Sequence, residues 1–215
     1  MRKNEKGNVT LFTLGSLTVI VLAFAMIYGA STVLTMKQKA TTAAQQASLA
    51  ASDEIVNGII PIAESFSALD PLLKERYVKK YSEISAKKLD WGEGARKRKA
   101  WSEILAEGGF SPEMQTQLME SLPHSQARAE KKAEAIIKAN GGKFQGIAWG
   151  KDGMQKVFVT ASVDVGFQFV DKLLKEKRKF TIDSEAAGPD LPFINSIGSL
   201  TSTYNKLKHN GQPLF

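Results

Sequence analysis

The spacing of hydrophobic and polar positions changes twice along this chain. From Gly7 to Met36 no side chain is charged, and Val9, Leu11, Phe12, Leu14, Leu17, Val19, Ile20, Val21, Leu22, Phe24, Met26 and Ile27 make the run almost continuously apolar. A helix needs about 20 apolar residues to cross about 30 Å of hydrocarbon, so this run is long enough to span a bilayer with some tilt. Lys37 to Val56 then contains no Gly or Pro, and Ala40, Ala43, Ala44, Ala47, Ala50 and Ala51 recur at i, i+3, i+4 spacing. Alanine is the strongest helix former, so the spacing predicts that the membrane helix runs on into water as one rod. From Val9 to Val56 the rod would measure about 70 Å. Asn57-Gly58 and Pro61 are expected to end it.

Helical periodicity continues in shorter pieces. Asp70-Pro71 reads as an N-cap with proline at the first helical position, opening a helix with Leu73, Tyr77, Tyr81 and Ile84 on one face. A loop at Trp91-Gly92-Glu93-Gly94 leads to a helix bearing Trp101, Ile104 and Leu105, stopped by Gly108-Gly109. Ser111-Pro112 opens another with Met114, Leu118 and Leu122 inward, expected to break near Pro123. A fourth, Ser125 to Lys138, places Ala129, Ala133, Ile136 and Ile137 inward before the C-cap signal Asn140-Gly141-Gly142.

The period then becomes two. Val157, Val159, Ala161, Val163, Val165 and Phe167 alternate with Phe158, Thr160, Ser162, Asp164 and Gly166, the strongest strand signal in the chain. A shorter strand, Lys143 to Trp149, precedes it through a turn at Gly150-Lys151-Asp152-Gly153. A third, Lys179 to Ala186, sets Phe180 and Ile182 against Thr181, Asp183 and Glu185. Val170 to Lys177 reads as a loop or helical turn, and Ile194, Ile197, Leu200, Tyr204 and Leu207 as a weak final helix. The expected class is α+β: one N-terminal transmembrane helix extended into a long alanine-rich stalk, amphipathic helices, and a small antiparallel three-stranded sheet with one apolar face covered. The expected division is a basic tail at 1–6, the membrane helix at 7–36, the stalk at 37–60, an extracytoplasmic head at 61–188 and a tail at 189–215.

Charge orients the anchor. Arg2, Lys3 and Lys6 against Glu5 form a basic N-tail, which favours keeping that end cytoplasmic, while Lys37 and Lys39 pull weakly the other way. A secretory signal begins similarly, but its apolar region runs about 7–15 residues. Here the run is longer and helical character continues past it, so a retained anchor is expected. The chain as a whole is basic, at +7. It has no cysteine, which removes disulfides and thiolate chemistry, and its two histidines, His124 and His209, are too far apart in sequence to indicate a metal cluster.

No catalytic, cofactor or metal residues emerge. Asp164 and Asp183 fall on polar strand faces, no phosphate-binding glycine pattern is present, and Gly150 to Gly153 reads as a turn. Arg96-Lys97-Arg98-Lys99 is the densest basic run; it is either a polyanion contact or a solvated helix start. Lys172, Lys175, Lys177, Arg178 and Lys179 form a second cluster beside a strand edge, where lysines oppose edge-to-edge pairing. Neither has the aromatic interleaving of a single-strand binder, so nucleic acid is not an expected partner. Within the span, Gly15 and the pair Ala25 and Gly29, with Thr10, Thr13 and Thr18, are candidates for close helix contact. Ala43, Ala47 and Ala50 are further packing candidates, either toward another helix or toward the chain's own head.

The order of parts, a short basic tail, Lys6-Gly7, a long apolar helix, an Ala/Gln-rich stalk and an α+β head, is the plan of type IV pilin-like subunits. Glu5-Lys6-Gly7-Asn8-Val9, Tyr28 and the stretch Thr41-Thr42-Ala43-Ala44-Gln45-Gln46-Ala47-Ser48-Leu49-Ala50-Ala51 resemble the N-terminal region of the TadE/TadG family, pilin-like accessory proteins of tight-adherence (Flp) pilus machines. The Val157 to Val165 strand and the strand ending Ser184-Glu185-Ala186-Ala187 are similar to the way such heads close. In processed prepilins a Glu stands at the fifth position after the cleaved Gly; here that position is Phe12, and the span holds no carboxylate. A membrane-buried Glu is costly and kept only for function. Its absence matches the TadG-like members, which the resemblance implies keep their N-terminus. What the resemblance implies is a non-enzymatic, single-pass component of a pilus or secretion apparatus at the cell surface, partnered by other pilin-like subunits and a membrane platform. The other reading of the residues is a membrane-anchored module whose basic head contacts DNA, wall polymer or anionic lipid.

Overall fold

A computed structural model describes residues 5–150, 155–166 and 179–194. The expected loop at Val170 to Lys177, the second basic cluster up to Arg178, Phe167 at the end of the predicted strand, most of the Gly150–Gly153 turn, the N-tail as far as Asn4 and the weak final helix beyond Ile194 lie outside these residues. The described chain is α+β. Its helices are α1 (Glu5–Leu69), α2 (Pro71–Lys87), α3 (Glu93–Glu107) and α4 (Pro112–Ala139), followed by strands β1 (Lys143–Trp149), β2 (Val157–Gly166) and β3 (Lys179–Ala187).

The rod is longer than its local sequence predicts. α1 runs 65 residues and carries Pro61 inside it, passing the expected end at Asn57-Gly58. α4 likewise runs unbroken through Pro123, joining the two helices expected there. Both corrections have one cause. An interior proline costs roughly 3 kcal/mol and a glycine about 1, but a helix in a protein is stabilised chiefly by burying its apolar face. Around Pro61 that face holds Ile55, Ile59, Ile60 and Ala63; around Pro123 it holds Leu118, Leu122, Ser125 and Ala129, all buried. Both prolines point to the exposed side. The start signals are as expected: Asp70 Oδ1 accepts from Leu72 N at 2.9 Å, and Ser111 Oγ accepts from Met114 N at 3.2 Å.

The distal half of α1 is the spine of the head, packed by α4 along one side and by the sheet along another. α4 runs antiparallel to it, and polar links mark the register: Asn140 Nδ2 to Gln46 Oε1 at 3.1 Å, Arg128 Nε to Glu54 Oε1 at 3.1 Å, and Ser121 Oγ to the Gly58 carbonyl at 3.3 Å. The alanine stripe explains how close these layers come. Ala40, Ala43, Ala44, Ala47 and Ala51 have no exposed surface. At Gly58 an added Cβ would fall 2.0 Å from Ser125 Oγ, so the α1–α4 crossing requires glycine. Buried hydroxyls at Ser48, Ser52 and Ser125 donate to carbonyls of their own helices.

The sheet order is β1-β2-β3, antiparallel throughout. Val157, Val159, Ala161, Val163 and Val165 of the central strand all lie inward. In β1 the inward residues Phe144 and Ile147 are three apart, which strict alternation forbids. A bulge between Phe144 and Gly146 absorbs the extra residue and returns Ile147 and Trp149 to the covered face. Thr41 Oγ1 meets Ser184 Oγ at 2.9 Å, and Gly188 crosses α1 so closely that a Cβ there would meet Ser52 Oγ at 2.2 Å. β3 therefore ascends α1 in the same direction, with its Lys179 end toward the apolar run.

Candidate membrane anchor and interaction surfaces

The proximal half of α1 is bare. From Val9 to Leu34 its large apolar side chains stand 51–78% exposed, Phe12 most of all, with Val33 alone among them half-buried. Exposing so many contiguous apolar groups to water is the signature of a surface meant for another medium. Among the described residues, this is one helix long and apolar enough to cross a membrane.

Four of its hydroxyls are already satisfied. Thr13, Thr18, Thr32 and Thr35 each donate to the carbonyl four residues earlier, at 2.8–2.9 Å. These threonines therefore sit in the span without needing a neighbouring helix. Gly15 has nothing within 4 Å of an added Cβ, and Ala25 and Gly29 are half-covered. Ala43 and Ala47 are fully buried and Ala50 half-buried. Of the two directions open to the stripe, Ala43 and Ala47 face the chain's own head, while Gly15, Ala25 and Gly29 remain on the bare segment.

The Arg96–Lys99 run lies in the first half of α3, and the fold engages much of it internally. Lys97 Nζ pairs with Glu64 of α1 and Lys99 Nζ with Glu103 at 3.3 Å. Arg96 Nε is buried without a hydrogen-bond partner, and Arg98 is half-buried. The run is thus a fastening of α3 onto α1 as much as an outward surface. Glu64 stands over thirty positions upstream, so no local signal in the sequence announces the pair.

Beside it, an ionic ladder joins α2 to α3. Lys80 Nζ reaches Glu107 Oε1 at 3.0 Å and Glu103 Oε2 at 3.6 Å, and Arg76 Nη2 reaches Glu107 Oε2 at 3.2 Å and the Gly108 carbonyl at 3.1 Å. Hydrogen bonds from Lys80 and Arg76 hold the Glu107 carboxyl below the usual carboxylate range, and the bond to Glu107 raises Lys80. A carboxyl lowered on folding contributes stability that is complete above its unfolded value and is lost as pH falls through the folded one. A raised lysine contributes below its unfolded value and loses that contribution as pH rises through the folded one. The α2–α3 contact should therefore loosen on acidification through and below the carboxylate range, by a small amount because the ladder is exposed. Melting temperature followed against pH checks this, and Glu107→Gln should flatten the acid limb.

Under the ladder, Tyr77 stacks on Trp101 with centroids 4.6 Å apart and on Tyr81 at 5.8 Å. Burial raises the Tyr77 phenol above its ordinary value. At the distal end of the head, a groove of about 420 Å³ is lined by Phe66, Leu69, Leu72, Leu73, Phe110 and Met114. Leu69 and Leu72 flank the Asp70-Pro71 helix start and are 82% and 72% exposed. Leu69 ends α1 and Leu72 falls outside the periodic face of α2, so no spacing in the sequence marks them as a pair.

No curated protein and no solved structure matches this chain. A family match falls within α1, on the bare apolar segment and the buried alanine stripe above it: residues 7–54 match the family described as "Putative Flp pilus-assembly TadE/G-like".

Proposed function

We propose that the chain is a non-enzymatic, single-pass membrane component of a pilus or secretion apparatus, a pilin-like accessory subunit. The observation that carries this is the coincidence of the family match with one structural unit: residues 7–54 take in the bare apolar helix and the alanine stripe on which the head is built. In this reading the N-terminal tail is cytoplasmic and the head extracytoplasmic. The segment carrying Gly15, Ala25 and Gly29 meets the helices of other pilin-like subunits or of a membrane platform. Phe12 in place of a carboxylate supports an uncleaved role. Deleting the gene should reduce or abolish the fibre or secreted product, whereas Gly7→Ala should leave both the mature mass and the assembly function intact. A mature N-terminus at Asn8, found by mass spectrometry, would move the chain among the processed, polymerising pilins.

A further inference from the structure

Three helix ends meet at the groove on the distal head: the C-terminus of α1 and the N-termini of α2 and α4. Its floor is buried Leu73 and Met114, and its walls are half-buried Phe66 and Phe110. Beside this recess Leu69 and Leu72 stand almost wholly in solvent. Side chains so exposed bury little apolar area within the head, so the fold alone gives no reason for leucine at both positions. Contiguous apolar exposure of this kind marks a surface for a partner. Here one patch carries both a protrusion and a recess, which is what self-association about a two-fold axis requires.

The charges on its two banks are opposite. Arg76 lines the α2 bank and Glu113 the α4 bank. Within the chain Arg76 bonds only through Nη2, to Glu107 Oε2 and the Gly108 carbonyl, so Nε and Nη1 keep their donors free. Glu113 is exposed and makes no ion pair among the described residues. Asp70, the other carboxylate of the lining, caps α2, its Oδ1 accepting from Leu72 N and Leu73 N. Lys74 and Glu75 lie about 150° and 105° around α2 from the side that lines the groove, and take no part in it. A two-fold axis running along the groove lays the α2 bank of one chain over the α4 bank of the other. Each Arg76 then faces the other chain's Glu113, whereas an axis across the groove would set like charges together.

We propose that a second copy of this chain docks in the groove, forming an isologous dimer about a two-fold axis along it. Leu72 of each chain lies over Phe110 and Met114 of the other, and Leu69 closes the edge. Burial of the leucines supplies the affinity. The two Arg76–Glu113 pairs set the register and add little affinity, because they sit at an exposed rim. The patch is smaller than the roughly 20–30 residues a side of a standard interface, so the dimer is reversible, in the micromolar range. This contact is separate from the apolar segment of α1 and does not rest on a role in pilus assembly.

The chain has no cysteine, so Gln117→Cys, at an exposed position one turn beyond Glu113, gives the full-length protein a single labelling site. Chains carrying donor or acceptor fluorophores are mixed in detergent micelles, and energy transfer is followed against protein concentration. Transfer should rise and saturate with a half-point in the micromolar range. Leu72→Asp should weaken pairing about a hundredfold or more, since each dimer loses two buried leucines. Its thermal unfolding should be unchanged, because the position is exposed and acidic residues suit a first helical turn. Glu113→Arg and Arg76→Glu should each weaken self-pairing about tenfold or more by setting like charges face to face. A mixture of those two variants should recover it, because the mixed dimer holds one native and one reversed pair. Arg76→Glu also loosens the α2–α3 ladder; if it fails to fold, the Leu72 and Glu113 variants decide. Absence of transfer at the highest attainable concentration overturns the proposal. So does transfer that survives both Leu72→Asp and Glu113→Arg, which would place the contact on the bare segment of α1. A photoreactive residue at position 117 that captures a different protein in cells, and no second copy, overturns it as well.

Discussion

Ala47→Pro should unfold the head while leaving the anchor in the membrane. Ala47 has no exposed surface and lies where α1 is packed by the rest of the fold. Proline there removes a backbone donor in mid-helix and clashes with the preceding turn, at roughly 3 kcal/mol or more. Its ring must also enter a fully packed site, adding about 1–3 kcal/mol of overpacking. Against a typical stability of about 5–15 kcal/mol, the sum removes most or all of what holds the head together. The natural Pro61 shows why position matters: it lies in the same helix, on the exposed side, and α1 continues past it. The check is thermal unfolding and limited proteolysis in detergent, with Gln45→Pro as the comparison because Gln45 is exposed. The Gln45 variant should lose only the backbone part. Equal, small effects at both positions would contradict a spine buried at Ala47.

Trp101→Ala should be the most damaging single truncation in the distal head. Trp101 is 1% exposed and heads the fully buried side chains by volume among the described residues. Removing a buried tryptophan side chain costs about 3–5 kcal/mol. The loss also dissolves the stack on Tyr77, which an aromatic pair adds at about 0.5–1.5 kcal/mol. Trp101→Phe should be far milder, because the indole Nε1 is buried without a hydrogen-bond partner and its removal relieves that desolvation. Chemical denaturation followed by near-ultraviolet circular dichroism separates the two variants. An alanine variant as stable as the phenylalanine one would show that the column of rings carries little of the α2–α3 contact.

Much of the fold is legible in the residues, and the failures share a cause. The uncharged run, the alanine stripe, the Asp70 and Ser111 caps and the Val157 to Val165 strand are local signals, and each appears in place. Pro61 and Pro123 mislead because the burial that overrides them comes from residues distant in sequence. The bulge in β1 is invisible for a similar reason: Phe144 and Ile147 break alternation, and only their pairing with Ala161 and Val159 shows how the strand recovers. At the surfaces, the basic run is evident in the sequence, but its fastening to Glu64 is not. The apolar groove between the start of α2 and the start of α4 arises where helix ends meet, and no single stretch encodes it.

In the proposed function, one uncut helix both anchors this chain in a membrane and forms the spine of its head. Extraction of membranes with alkaline carbonate, followed by intact-mass analysis of the pelleted protein, tests it most directly. The full-length chain should stay in the pellet with the Met1 to Lys6 peptide attached. A soluble mature form beginning near Ser31 would contradict it.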